Sequence, residues 1–149
     1  EYNLDYTIFR FFNTYGPNQS QDFVIAKFLK LALKNEDITI YGDGSQSRTL
    51  CYIDDNIDAT VNAFLSSDWE NTTINIGNNN ETSVLDIAHK IITITNSTSK
   101  IVHLPALKDG DMTRRLPDIA NMQTLLNNRP LVSLEDGIDK MLKKWATIK

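Results

Sequence analysis

The run from Tyr6 to Phe12 is rich in β-branched and aromatic residues, shows little alternation, and stops at Asn13-Thr14-Tyr15-Gly16-Pro17. Near-continuous apolarity of this kind belongs to strands covered on both faces, the habit of parallel sheets. Such a strand needs neighbours, so the chain is expected to be α/β.

The rest of the sequence alternates accordingly. A helix is expected from about Phe23 to Lys34, capped by Asp22, with Phe28, Leu31 and Ala32 as its apolar stripe. Ile38 to Tyr41 alternates as a short strand and breaks at Gly42-Asp43-Gly44, and Thr49 to Tyr52 reads as a return element. Asp54 or Asp55 is expected to cap a helix carrying Ile57, Val61, Phe64 and Leu65 and ending near Asp68. Thr73 to Gly77 reads as a second buried strand, and Ser83 with Asp86 as the capping pair of the next helix. A strand from Ile101 to Leu104 precedes a charged loop from Lys108 to Pro117. Short helices close the chain, near Ile119 to Leu126 and, capped by Ser133, near Leu134 to Trp145.

At 149 residues the chain suits one domain with a genuine core. A net charge of −4 gives no electrostatic footprint for nucleic acid or an anionic membrane. No apolar stretch reaches the roughly 20 residues needed to cross a bilayer. Cys51 is the only cysteine, so no intrachain disulfide forms, which fits a reducing, cytoplasmic setting. Sequons begin at Asn18, Asn71, Asn80 and Asn96, in a chain where Asn is abundant and no signal segment is visible. The chain opens at Glu1 without an initiator Met and is strand-like by Tyr6, as if cut from something longer. An isolated fragment of that kind is expected to expose a sheet edge and self-associate.

Few residues stand out as chemistry. A Gly-x-Gly turn lets a ligand approach closely, and Arg48 just beyond it offers a fork of donors suited to phosphate oxygens. The other reading is a hairpin turn followed by a surface Arg. Asn13 stands where an apolar strand gives way to a loop, the place where ligands bind in open α/β sheets, or else it is a turn or cap residue. Asp111, Arg114 and Arg115 offer a carboxylate for a sugar hydroxyl and a cation for a phosphate, or they form solvated ion pairs. Phe23 and Tyr41 suit either a planar base or the core. Asp54-Asp55 looks like a catalytic carboxylate pair, although capping accounts for at least one of them. His89, His103 and Cys51 form no recognisable metal spacing, so no metal is expected, and Cys51 reads as a small buried hydrophobe. No glycine-rich dinucleotide fingerprint and no Tyr-x-x-x-Lys pair occur.

Five segments together carry a resemblance: Arg10 to Pro17 (RFFNTYGP), Ile38 to Arg48 (ITIYGDGSQSR), Cys51 to Asp55 (CYIDD), Asn75 to Asn78 (NIGN) and Arg114 to Asp118 (RRLPD). In order and spacing they resemble the extended short-chain dehydrogenase/reductase family, the NAD-dependent nucleotide-sugar epimerases, dehydratases and decarboxylases. The resemblance implies the carboxy-terminal portion of a doubly wound Rossmann-like parallel sheet plus a small mixed α/β substrate-binding domain. Residues 1–16 and 52–80 would complete the sheet, and residues 17–51 and 81–149 would form the nucleotide-sugar-binding subdomain.

It also implies roles. Asn13 resembles the amide at the diphosphate of a UDP-sugar, and Arg48 the arginine that clamps it. Tyr41 resembles the residue near the base or ribose, and Phe23 and Val24 fall where relatives close over the base. Arg115 is similar to the inward-facing arginine of the late substrate loop, Arg114 less so, and Asp111 would reach a ribose hydroxyl. NAD and the catalytic Tyr and Lys would be held upstream of Glu1, so no catalytic residue is expected in this chain, and the parent would be a homodimer. A reading from another class is a non-catalytic nucleotide-sugar-binding module.

Overall fold

The computed structural model describes residues 3–106 and 115–147. The elements run β1 (Thr7–Phe11), β2 (Thr14–Tyr15), α1 (Val24–Leu33), β3 (Ile38–Tyr41), β4 (Ser47–Thr49), β5 (Cys51–Tyr52), α2 (Ile53–Phe64), β6 (Thr72–Ile76), β7 (Glu81–Ser83), α3 (Val84–Thr95), β8 (Ile101–Leu104), α4 (Ala120–Leu125) and α5 (Leu134–Ala146). Parallel ladders join β1 to β6, β2 to β5 and β3 to β8, and an antiparallel ladder joins β4 to β7. This is the α/β architecture with parallel pairing that the strand and helix alternation implies.

β1 departs from the expectation of a strand covered on both faces. Phe9 packs towards the core, whereas Tyr6, Ile8 and Phe11 are about half exposed. Among the described residues β1 has one strand neighbour, β6, so its other edge is unpaired, and the face that carries Tyr6 and Ile8 is uncovered.

The Gly42–Gly44 turn is not a hairpin. Gly42 and Gly44 take φ of +66° and +78°, the left-handed region open to glycine. Asp43 Oδ1 accepts from the Ser45 N–H at 2.9 Å and from its hydroxyl at 2.7 Å, which rounds the bend. The chain then leaves β3 behind and pairs with β7. The turn is fastened under the start of α3, where the Leu85 N–H donates to the Gly44 carbonyl and the Val84 N–H to the Gln46 carbonyl.

Helix starts divide into two kinds. Ser83 and Ser133 cap α3 and α5 as expected, accepting from the Asp86 N–H at 2.9 Å and the Asp136 N–H at 3.1 Å. Asp22 does not cap α1: its carboxylate accepts from the Ser20 hydroxyl, and Phe23 is the residue before the helix. Asp54 and Asp55 do not cap α2 either, because both lie inside its first turn, after Tyr52. α2 ends at Phe64, and a single 3₁₀ turn at Ser67–Trp69 fills the stretch to the expected stop.

Two apolar clusters form the core. One joins α1, β3, α3 and α5 around Leu29, Ile38, Ile87 and Met141, and the other joins α2, β6 and α4 around Ala59, Ile74 and Met122. They meet at β5, whose Cys51 belongs to the second cluster and Tyr52 to the first.

Candidate functional site

β2 and β5 run side by side as a parallel pair, and the polar residues of interest lie in the segments that flank them. The Cys51 N–H donates to the Asn13 carbonyl at 2.9 Å, which sets Asn13 just before β2, level with the chain entering β5. Arg48, on β4, lies opposite Thr82 of β7. A cavity of about 220 Å³ opens between these segments and the start of α1, lined by Asn13, Thr14, Gln19, Asp22, Phe23, Val24, Ile25, Arg48 and Leu50. Four residues singled out in the sequence thus share one wall.

Within the cavity, Arg48 Nη1 donates to the Ser47 carbonyl at 2.7 Å, which orients the guanidinium. The Asn13 side-chain amide makes no hydrogen bond among the described residues. Phe23 is 58% exposed and Tyr41 40%, so neither is a core residue. Tyr41 lines neither this cavity nor its neighbour. Arg115 is exposed; its carbonyl accepts from the buried Thr49 hydroxyl at 3.4 Å, which brings its backbone to β4. Asp111 and Arg114 lie outside the described residues.

A second, larger cavity of about 630 Å³ lies at the carboxyl end of β1, lined by Phe11, Asn13, Gly16, Phe23 and Ile53 among others. Asn13, Gln19 and Phe23 belong to both cavities. Gln19 was not legible as a site residue, yet the logic that marks Asn13, an amide in the loop after a strand end, applies to it equally.

Asp54 and Asp55 are not a catalytic pair. Asp54 accepts from Lys140 Nζ at 2.7 Å on the surface. Asp55 is fully buried and accepts from Arg129 Nη1 at 2.6 Å and from the Val132 N–H at 2.8 Å. The hydrogen bond to Asp55 pushes the Arg129 guanidinium above its usual range.

Cys51 is buried, and desolvation pushes its thiol up to about 12. The thiolate is the nucleophile, so Cys51 is inert in the folded chain. A thiol-specific colorimetric reagent at pH 8 is expected to leave it unmodified until denaturant is added. Fast labelling of the folded chain would contradict its burial.

Among the described residues no cluster of His, Cys, Asp and Glu suits a metal, and no helix is long and apolar enough to cross a membrane. The six glycines include no Gly-x-Gly-x-x-Gly run, since position 47 after the Gly42–Gly44 pair is Ser. Gly16 is closed against Ile53, Gly44 against Leu85 and Gly77 against Phe12. None of these three leaves backbone open to a dinucleotide pyrophosphate.

The family that joins this fold to such a site is defined by comparison with known proteins. The chain belongs to the NAD dependent epimerase/dehydratase family, whose model matches residues 1–77. It is 34% identical to the UDP-N-acetyl-alpha-D-glucosaminuronate decarboxylase of Bacillus cytotoxicus, over 98% of this chain and 48% of that protein. Identity is also 34% to UDP-glucuronic acid decarboxylase 1 of Danio rerio, over 96% of this chain and 34% of that one. Among solved structures, the UDP-glucose 4-epimerase of Thermotoga maritima with UDP-glucose matches with a TM-score of 0.89 at 31% identity, over 99% of this chain and 48% of the other. The UDP-glucuronic acid 4-epimerase of Bacillus cereus, in complex with UDP-glucuronic acid and NAD, matches with a TM-score of 0.84 at 33% identity, over 96% and 46%. The chain therefore spans between a third and a half of the length of these relatives.

Proposed function

We propose that this chain holds the nucleotide-sugar for an NAD-dependent epimerase, dehydratase or decarboxylase, with Arg48 and Asn13 on the diphosphate of a UDP-sugar. The observation that carries this reading is the single cavity in which Asn13, Phe23, Val24 and Arg48 converge from three separate segments. A guanidinium supplies charge and paired donors to phosphate oxygens, and an amide N–H adds a neutral donor beside it. Phe23 and Val24 offer an apolar wall on which a planar base can pack. Tyr41, Asp111 and Arg115 belong to the same proposal as contacts to the base, a ribose hydroxyl and the late phosphate side.

NAD supplies the hydride chemistry of this family, and Gly16, Gly44 and Gly77 are closed by neighbouring side chains to its pyrophosphate. The chain's part is to bind and orient the substrate and to keep water from its diphosphate. We also assign residues 1–16 and 52–80 to the sheet and residues 17–51 and 81–149 to the substrate-binding part. The β1–β6 ladder lies wholly in the first part, β3–β8 and β4–β7 lie wholly in the second, and β2–β5 straddles the boundary. A cytoplasmic location and a homodimeric parent complete the proposal.

Calorimetric titration of the protein as its gene encodes it tests the reading. Arg48→Ala is expected to weaken UDP and UDP-glucose alike by about 10- to 100-fold, the range for a lost hydrogen bond to a charged group. Unchanged affinity for both ligands would overturn the assignment.

A further inference from the structure

We propose that Gln19 reads the sugar of the bound nucleotide-sugar, its side-chain oxygen accepting a hydrogen bond from a sugar hydroxyl; this rests on the nucleotide-sugar reading above. Gln19 follows Gly16-Pro17 and lies outside every strand and helix. Its backbone N–H donates to the Gly16 carbonyl at 3.1 Å, and its Nε2 donates to the Thr14 carbonyl at 2.6 Å. The second bond settles which way the amide points. Turned over, the group would set its oxygen against the Thr14 carbonyl oxygen, two acceptors with no proton between them.

Thr14 is itself held firmly. Its hydroxyl donates to the Phe12 carbonyl at 3.0 Å and accepts from Asn56 Nδ2 at 2.9 Å. The Gln19 amide is therefore pinned through its nitrogen to a braced residue, while Oε1 is withdrawn from solvent and has no hydrogen-bond partner among the described residues. Buried side-chain oxygens are rarely left in that state. A donor brought by a ligand would satisfy this one.

Position and chemistry narrow what that donor is. Gln19 lines both cavities, the small one with Asn13 and Arg48 and the larger one at the carboxyl end of β1. A diphosphate at neutral pH carries no proton to give, and in the small cavity it has Arg48 and Asn13 as its donors. Oε1 must instead meet an O–H or N–H group next to the diphosphate. Val24 and Arg48 line the small cavity and not the larger one; with the base on the Val24 side, the group on the other side of the diphosphate is the sugar, and a hexose carries hydroxyl donors around its ring edge. The larger cavity gives it room where doubly wound sheets place their ligands, beyond the strand ends.

The test is calorimetry on the protein as encoded, with UDP, UDP-glucose and the monodeoxy analogues of UDP-glucose as probes. Gln19→Leu is expected to weaken UDP-glucose about 3- to 10-fold and to leave UDP unchanged, the range for one neutral hydrogen bond. One monodeoxy analogue should bind the wild type and the variant alike, which names the hydroxyl. Gln19→Met, with its unbranched side chain, repeats the measurement if the leucine variant does not fold. An equal loss for UDP and UDP-glucose would make Gln19 a brace for its loop and overturn the proposal. So would no loss for either ligand, or a wild type that binds the two equally. The Arg48→Ala titration separates the two failures. If it leaves both ligands unaffected, the nucleotide-sugar reading falls and takes this inference with it. If it weakens both while the Gln19 variants weaken neither, only the inference about Gln19 falls.

Discussion

Arg129→Ala is expected to destabilise the chain by about 3 kcal/mol, the low end of the cost of breaking a buried ion pair. The low end applies because the Arg129 side chain is 37% exposed, whereas that of Asp55 is 1% exposed. Removing the guanidinium leaves the Asp55 carboxylate inside the protein with the Val132 N–H as its remaining partner. It also releases Asp58, which shares the same arginine at 2.8 Å, although that exposed contact adds little. Urea unfolding of wild type and variant measures the difference. A loss below about 1 kcal/mol would mean that the pair behaves like a surface contact. Replacing both partners by leucine should recover much of the loss, because no charge is then stranded. The Arg129 pKa is raised, so its contribution is fully present below the unfolded value and lost only as pH rises through the folded one. The deficit should therefore be constant from pH 7 to pH 10.

Gly137→Ala should cost about 2 kcal/mol even though alanine favours helices over glycine by about 1 kcal/mol. Gly137 lies in α5 against Tyr15, and a Cβ there would stand 2.0 Å from the Tyr15 Oη and 2.7 Å from its Cζ. Tyr15 has little freedom to retreat. It is 1% exposed, packs edge-on to Tyr52 with ring centres 5.3 Å apart, and donates to the Ser133 carbonyl at 3.3 Å. Thermal denaturation followed by circular dichroism would register the change as a fall of several degrees. Tyr15→Phe in the same chain should relieve the nearest clash and return part of the loss. A variant as stable as the wild type would show that α5 can shift away from β2.

The difference between what was legible in the sequence and what was not follows the range of the interactions concerned. Ser83 with Asp86 and Ser133 with Asp136 announce two helices because a cap is settled within four residues. Asp22 and Asp55 looked like the same signal, yet the first is engaged by Ser20 and the second by an arginine 74 positions away. Gly42 and Gly44 disclose a bend but not its outcome, since the partner of Ile38 is Ile101 and that of Arg48 is Thr82. The cavity was more readable. Asn13 and Arg48 carried their chemistry in residue type and in their place relative to a strand end or a turn, Phe23 carried it in residue type, and Val24 was marked only by the family resemblance. Gln19 and Arg129 did not, because what distinguishes them is a missing partner in one case and a buried one in the other.

The short β2–β5 ladder has a mechanical meaning. Each of its strands is two residues long, and it is the seam along which the two apolar clusters touch. Asn13 stands at the entrance to one strand, and Arg48 lies three residues before the other. A rotation of one cluster against the other about this seam would change the gap between that amide and that guanidinium. On the proposed assignment, the grip on the diphosphate and the tilt of the two halves would be one coordinate.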